Sequence, residues 1–114
     1  DPLRELRDSL RAFAAERDWD QFHSPRNLAT ALAVEAAELL EPFQWLTDEQ
    51  SRDLPPDVRA AVEEELADVL LYLVRLADKL DVDLPAAARA KIARNGEKYP
   101  VEKSRGSSRK YDEL

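Results

Sequence analysis

The stretch Leu28-Ala29-Thr30-Ala31-Leu32-Ala33-Val34-Glu35-Ala36-Ala37-Glu38-Leu39-Leu40 decides how this chain folds. It is rich in strong helix formers and contains neither glycine nor proline, so it reads as helix. It is also apolar nearly all round, and a helix with no wet face is a buried helix. A four-helix protomer does not easily enclose one helix on every side. A partner subunit is therefore expected to cover it, most simply by homodimerisation. Two acids interrupt the stretch, Glu35 and Glu38, and their i,i+3 spacing puts both on one face.

The pattern recurs further along. Leu28, Leu32, Glu35 and Leu39 share their spacing with Val58, Val62, Glu65 and Val69, and Asp68 follows Glu65 by three. In both copies an acid takes a slot where the stripe asks for an apolar residue. Four carboxylates brought together indoors repel one another and lose hydration. A hard divalent cation relieves both costs, and phosphate chemistry is the simplest use for one. All-carboxylate sites suit Mg²⁺, Mn²⁺ or Ca²⁺. A di-iron bundle wants Glu-x-x-His, and the one histidine, His23, lies outside both acidic helices.

The plainer reading is a solvated acidic face, because short acidic pairs arise often by chance. Glu41, Glu63, Glu64 and Asp78 are read that way. Three features favour a metal site for the others. Glu35 and Glu65 sit on apolar stripes, the pattern occurs twice, and no Lys or Arg stands three or four residues from Glu35 or Glu38. The residues alone leave both readings open.

The rest of the chain fits an all-α domain. Its 114 residues suit one domain, with only 2 glycines and no strict alternation of the strand kind. The first helix is expected over Leu3 to Arg17, with Leu3, Leu6, Leu10 and Phe13 on one face. Ser24 caps a second helix that opens at Pro25 and runs to about Phe43. Thr47 to Pro56 reads as loop, and Asp53 or Asp57 as the cap of a third helix from Val58 to Leu80. Leu84-Pro85 opens a fourth, which stops near Glu97. Residues 1–100 form the helical domain. Residues 101–114 form a serine-rich basic tail, disordered by itself, whose Tyr111 and Leu114 can dock on another surface such as a neighbouring subunit.

The formal net charge of −7 argues against binding a nucleic acid polymer, which needs a basic footprint. A mononucleotide stays open, because a metal brings its own positive charge. No run is long and apolar enough to span a bilayer and no signal peptide opens the chain, so a soluble cytoplasmic protein with no membrane partner is the expectation. With 0 cysteines there is neither a disulfide nor a thiolate site.

Several residues suit a nucleotide. Trp19, Phe22 and Trp45 lie in or beside loops, where aromatics can stack on bases, though they serve equally to staple loops to a core. Tyr72 follows Asp68 by one turn on the same face. Lys91 and Asn95 form an i,i+4 pair able to meet phosphate or sugar, or simply a solvated face. Arg26, Arg94, Arg105 and Arg109 could serve phosphates, since there is no glycine-rich phosphate loop.

Glu35-x-x-Glu38 followed by Glu65-x-x-Asp68 resembles the signature of the all-α MazG-like nucleoside triphosphate pyrophosphohydrolases. Glu16-Arg17-Asp18-Trp19, Gln21-Phe22-His23, Pro25-Arg26-Asn27-Leu28 and Phe43-Gln44-Trp45 resemble the dCTP-directed vertebrate branch. So do Val82-Asp83-Leu84-Pro85 and Ser107-Ser108-Arg109-Lys110-Tyr111. The resemblance implies hydrolysis of a (d)NTP, dCTP or a modified dCTP foremost, to monophosphate and pyrophosphate, serving nucleotide-pool cleansing. It implies Mg²⁺, with Mn²⁺ as a substitute, held by Glu35, Glu38, Glu65 and Asp68. It implies substrate contacts from Trp19, His23, Arg26, Trp45, Tyr72, Lys91, Asn95 and Arg109, and a homotetramer built as a dimer of dimers. Glu38 is the candidate for orienting or deprotonating the attacking water. The rival from another class is a non-catalytic helical assembly module with a solvated acidic face. A hydrolase releasing orthophosphate stepwise is a third possibility.

Overall fold

A computed structural model describes residues 1–109, and every regular element among them is helical. The order is α1 (Pro2–Glu16), a 3-10 turn (Asp20–Phe22), α2 (Pro25–Leu40), α3 (Asp48–Ser51), α4 (Pro56–Lys79), α5 (Leu84–Lys98) and α6 (Val101–Ser104). The four long helices fall where periodicity puts them, so the all-α class holds. Tyr111 and Leu114, the expected docking residues of the tail, lie outside the described residues.

Local chemistry sets the helix ends. Asp1, Ser24 and Asp83 each accept from a backbone N–H in the first turn that follows, and Pro25 stands at the start of α2. Asp18 and Asp81 adopt left-handed backbone, at φ 53° and 56°, just past the ends of α1 and α4. After α1 this completes a Schellman closure: the Trp19 N–H reaches the Ala14 carbonyl at 2.9 Å and the Asp18 N–H the Ala15 carbonyl at 3.2 Å. The closure delivers Trp19 directly back onto α1.

Four boundaries differ from expectation. Helix α2 stops at Leu40, not Phe43, because Pro42 has no N–H to donate; tight turns such as Phe43 N–H to Leu40 C=O at 2.9 Å take over. The segment read as loop contains α3, opened by a reciprocal capping box between Thr47 and Gln50. The N-cap of α4 is Pro55, with no side-chain bond, and Asp57 lies in the first turn instead of capping. Within the tail, expected to be disordered by itself, Val101–Ser104 form a short helix, α6, straight after Pro100.

Two compact units make up the chain, Asp1–Asp81 and Val82–Leu114. In the first, α2 packs along α4, and α1 also packs on α4. The core is small: Ala14 from α1, Leu28 from α2, and Val62, Val74 and Ala77 from α4. The second unit carries α5 and α6.

The single chain does not enclose α2. Leu28 is its one fully buried residue, while Ala33, Val34, Ala36, Ala37 and Leu40 are exposed. Leu66 and Leu70 on α4 are exposed too. An apolar helix surface therefore stays open to water in the lone protomer.

Candidate metal and nucleotide site

The packing of α2 on α4 brings the two acidic pairs together. Carboxylate oxygens of Glu35, Glu38 and Glu65 lie within 4.8 Å of one another. That is close to the roughly 4–5 Å between opposite oxygens around a hard divalent cation. Asp68 stands outside this trio, yet its charge acts on Glu35, so it belongs to the same electrostatic neighbourhood.

These acids are not a solvated face. Glu35, Glu38, Glu65 and Asp68 are all half-buried. The Oε2 atoms of Glu35 and Glu65 are shielded from water and have no hydrogen-bond donor. A buried acceptor without a donor is costly. The Glu35 carboxyl is pushed up to about 7, first by the neighbouring Glu65 carboxyl, then by lost hydration, Glu38 and the Asp68 charge. Crowded oxygens, orphaned lone pairs and a proton held near neutrality fit a divalent cation, whose positive charge would offset the repulsion among these carboxylates. Mg²⁺, Mn²⁺ or Ca²⁺ suits such an all-oxygen donor set.

Three rings of the same unit meet one another, those of Phe13, Trp19 and His23. The Trp19 ring meets Phe13 edge-on at 5.6 Å and His23 at 6.4 Å. Arg17 lies 3.6 Å over the Phe13 ring. Trp19 remains 44% exposed, so its ring is both anchored and accessible. Trp45, in the turn after α2, is 86% exposed. It does not staple that turn to the protomer's core. Tyr72 is half-buried on α4, and Arg26 is exposed in the first turn of α2. Lys91 and Asn95 are exposed on α5 of the second unit. In that unit too, Arg109 makes its described bonds to the Ser107 hydroxyl, at 3.2 Å from its backbone N–H and 3.4 Å from Nε.

One cluster escaped sequence reasoning. Arg75 is buried at 6% exposure in α4. It donates through Nη2 to Asp20 at 2.7 Å and through Nε to Nδ1 of His23 at 3.2 Å. It also lies 3.6 Å from Asp78, and Lys79 pairs with Asp20. Asp78, read as a solvated acid, is instead held by both arms of Arg11 at 2.7 and 2.5 Å. The Arg11 fork holds the Asp78 carboxyl below its ordinary range, and Lys79 does the same for Asp20. The sole local hint was the i,i+3 spacing of Arg75 and Asp78; the other partners are more than fifty residues apart in sequence.

Fold and site together define an all-α protein built around a carboxylate cluster suited to a hard divalent cation. The chain belongs to the MazG-like family, whose profile matches residues 30–114. It is 52% identical to mouse dCTP pyrophosphatase 1 over 98% of this chain and 67% of that protein. The human protein of that name gives the same identity and coverage. A solved structure of a pyrophosphatase from Archaeoglobus fulgidus superposes with a TM-score of 0.82 at 40% identity, covering 88% of this chain and 94% of that one.

Proposed function

We propose that this chain is a nucleoside triphosphate pyrophosphohydrolase that takes dCTP, or a modified dCTP, as its preferred substrate. The observation that carries the reading is the half-buried trio Glu35, Glu38 and Glu65, with two orphaned oxygens, in a chain half identical to proteins named dCTP pyrophosphatase 1. Glu35, Glu38, Glu65 and Asp68 hold the cation in this reading, Mg²⁺ first and Mn²⁺ as a substitute. Bound there, it offsets phosphate charge as that charge grows in the transition state.

The chemistry is displacement at the α-phosphorus. A water oxygen forms a bond to that phosphorus, and the bond from it to the oxygen bridging to the β-phosphorus breaks. Pyrophosphate leaves and the nucleoside monophosphate remains. The water's proton passes to a carboxylate, for which we assign Glu38. Trp19 and Trp45 supply exposed aromatic faces for the base. Tyr72, His23 and Arg26 join them, and Lys91, Asn95 and Arg109 keep the phosphate and sugar roles that the resemblance implies.

A homotetramer, a dimer of dimers, is part of the same reading. Its support is the open apolar surface of Val34 and Leu40 on α2 and Leu66 on α4, at 51%, 59% and 52% exposure. A second copy would bury it and recover hydrophobic free energy. Nucleotide-pool cleansing in the cytoplasm is the role consistent with such a reaction. Among the described residues no helix is long and apolar enough to cross a membrane.

The test is a panel of ribo- and deoxyribonucleoside triphosphates with Mg²⁺, scoring pyrophosphate and monophosphate together. Equal yields of the two, highest for dCTP or a modified dCTP, are expected. Orthophosphate without pyrophosphate would replace this reading with stepwise hydrolysis.

A further inference from the structure

We infer that Arg75 is the positioning residue of the Trp19–His23 loop: its buried guanidinium ties Asp20 and His23 to α4 and thereby presets the aromatic edge offered to a nucleotide. The inference rests on the proposal that Trp19 and His23 meet substrate.

The geometry goes beyond charge balance. A buried guanidinium must be paired, and Asp78, one turn along α4, lies 3.6 Å from Arg75. Asp78 is in turn gripped by Arg11 of α1. Yet two further donors of Arg75 leave α4 and reach the loop, to Asp20 at 2.7 Å and to His23 at 3.2 Å. Lys79 fastens Asp20 from the next turn of the helix. These side chains line an open cleft of about 340 Å³ formed by Arg11, Ala15, Asp20, Arg75, Asp78 and Lys79. The loop is thus bolted to α4 at two points, while its Trp19 end is pinned to α1 by the Schellman closure and by Phe13.

The bond to His23 also fixes the imidazole. An arginine Nε–H can only donate, so Nδ1 of His23 must be the unprotonated nitrogen. The neutral ring then carries its proton on Nε2, leaving one defined donor for a ligand. Lost hydration, helped by the charges of Arg75 and Lys79 against that of Asp20, lowers the imidazole below its ordinary value. Trp19, edge-on to the ring, restrains its tilt.

His23 is the single histidine, so its ¹⁵N spectrum is one unambiguous pair of signals. In the wild-type protein Nε2 should be protonated and Nδ1 bare, with a midpoint below that of a free imidazole. Arg75→Met keeps bulk in the core, and it leaves Asp20 with Lys79 and Asp78 with Arg11, so each carboxylate keeps a cation. In that variant the two tautomers should mix. KM should rise about tenfold with kcat within about twofold, the signature of lost binding geometry alone. Asp20→Ala removes one of the two bolts from its exposed side, leaves the Arg75–His23 bond in place, and should raise KM in the same direction.

A wild-type imidazole protonated at Nδ1 would overturn the inference. So would wild-type KM values in both variants, which would reduce the cluster to packing. Wild-type protein that releases no pyrophosphate sinks the activity reading instead, and the imidazole spectra still decide the clamp.

Discussion

Substituting Glu35 by Gln removes a carboxyl held near neutrality while keeping the shape of its side chain. In the metal-free protein Glu35 ionises at about 7, displaced upward from 4.5 by Glu65, lost hydration, Glu38 and Asp68. A hard cation binds the ionised form, so it must displace that proton. At about pH 6 roughly one Glu35 in eleven is ionised, and at about pH 8 roughly ten in eleven. The apparent Mg²⁺ affinity should therefore be about tenfold weaker at the lower pH, and binding there should release close to one proton. Titration calorimetry in two buffers of different ionisation enthalpy reads both quantities. Glu35→Gln should weaken binding and flatten its pH dependence across this range.

Folding stability provides the companion measurement, taken with a chelator present. The folded pKa lies above the unfolded one, so between about 4.5 and 7 the folded state binds more protons. Glu35 thus favours folding fully below 4.5, and that contribution is lost as pH rises through 7. Denaturant titrations of wild type and Glu35→Gln should diverge across that window. A wild-type Mg²⁺ affinity that stays level from about pH 6 to 8, with no proton released, would refute the reasoning.

Other substitutions probe separate links. Glu38→Gln should cut turnover by about 10²–10⁴ while the helical circular dichroism spectrum stays intact; preserved turnover would remove Glu38 from proton transfer. Trp45→Ala, at a ring 86% exposed in the single chain, should raise KM and leave the melting temperature nearly unchanged. Leu28→Ala empties the fully buried site of α2 and should cost about 2–5 kcal/mol by denaturant titration. Leu66→Asp places a charge on the open apolar surface of α4 and should shift sedimentation towards smaller species, and an unchanged assembly would argue against that surface as a subunit contact.

The legible parts of this chain were local in origin. Ser24-Pro25 and Asp83 announce helix starts because capping needs only neighbours within one turn. Glu35 and Glu38 fall on one face through the helical repeat alone. The short helix α3 was also within reach, because Thr47 and Gln50 stand at capping-box spacing, but the polar composition around them reads as loop. The Arg75 cluster was not legible in this way. Arg75 and Asp78 look like an ordinary solvated pair, and nothing in their spacing shows that the guanidinium turns inward to a loop 52 to 55 residues earlier.

By itself the sequence determined the four long helices, the two acidic pairs and the family they resemble, since each depends on residues a few positions apart. Tertiary structure decided which carboxylates meet, how high the Glu35 proton is held, and what anchors Trp19 and His23. Those outcomes depend on the docking of α1 and α2 on α4. Distance and dielectric, the quantities that govern charges and lone pairs, exist only once separate segments are packed together.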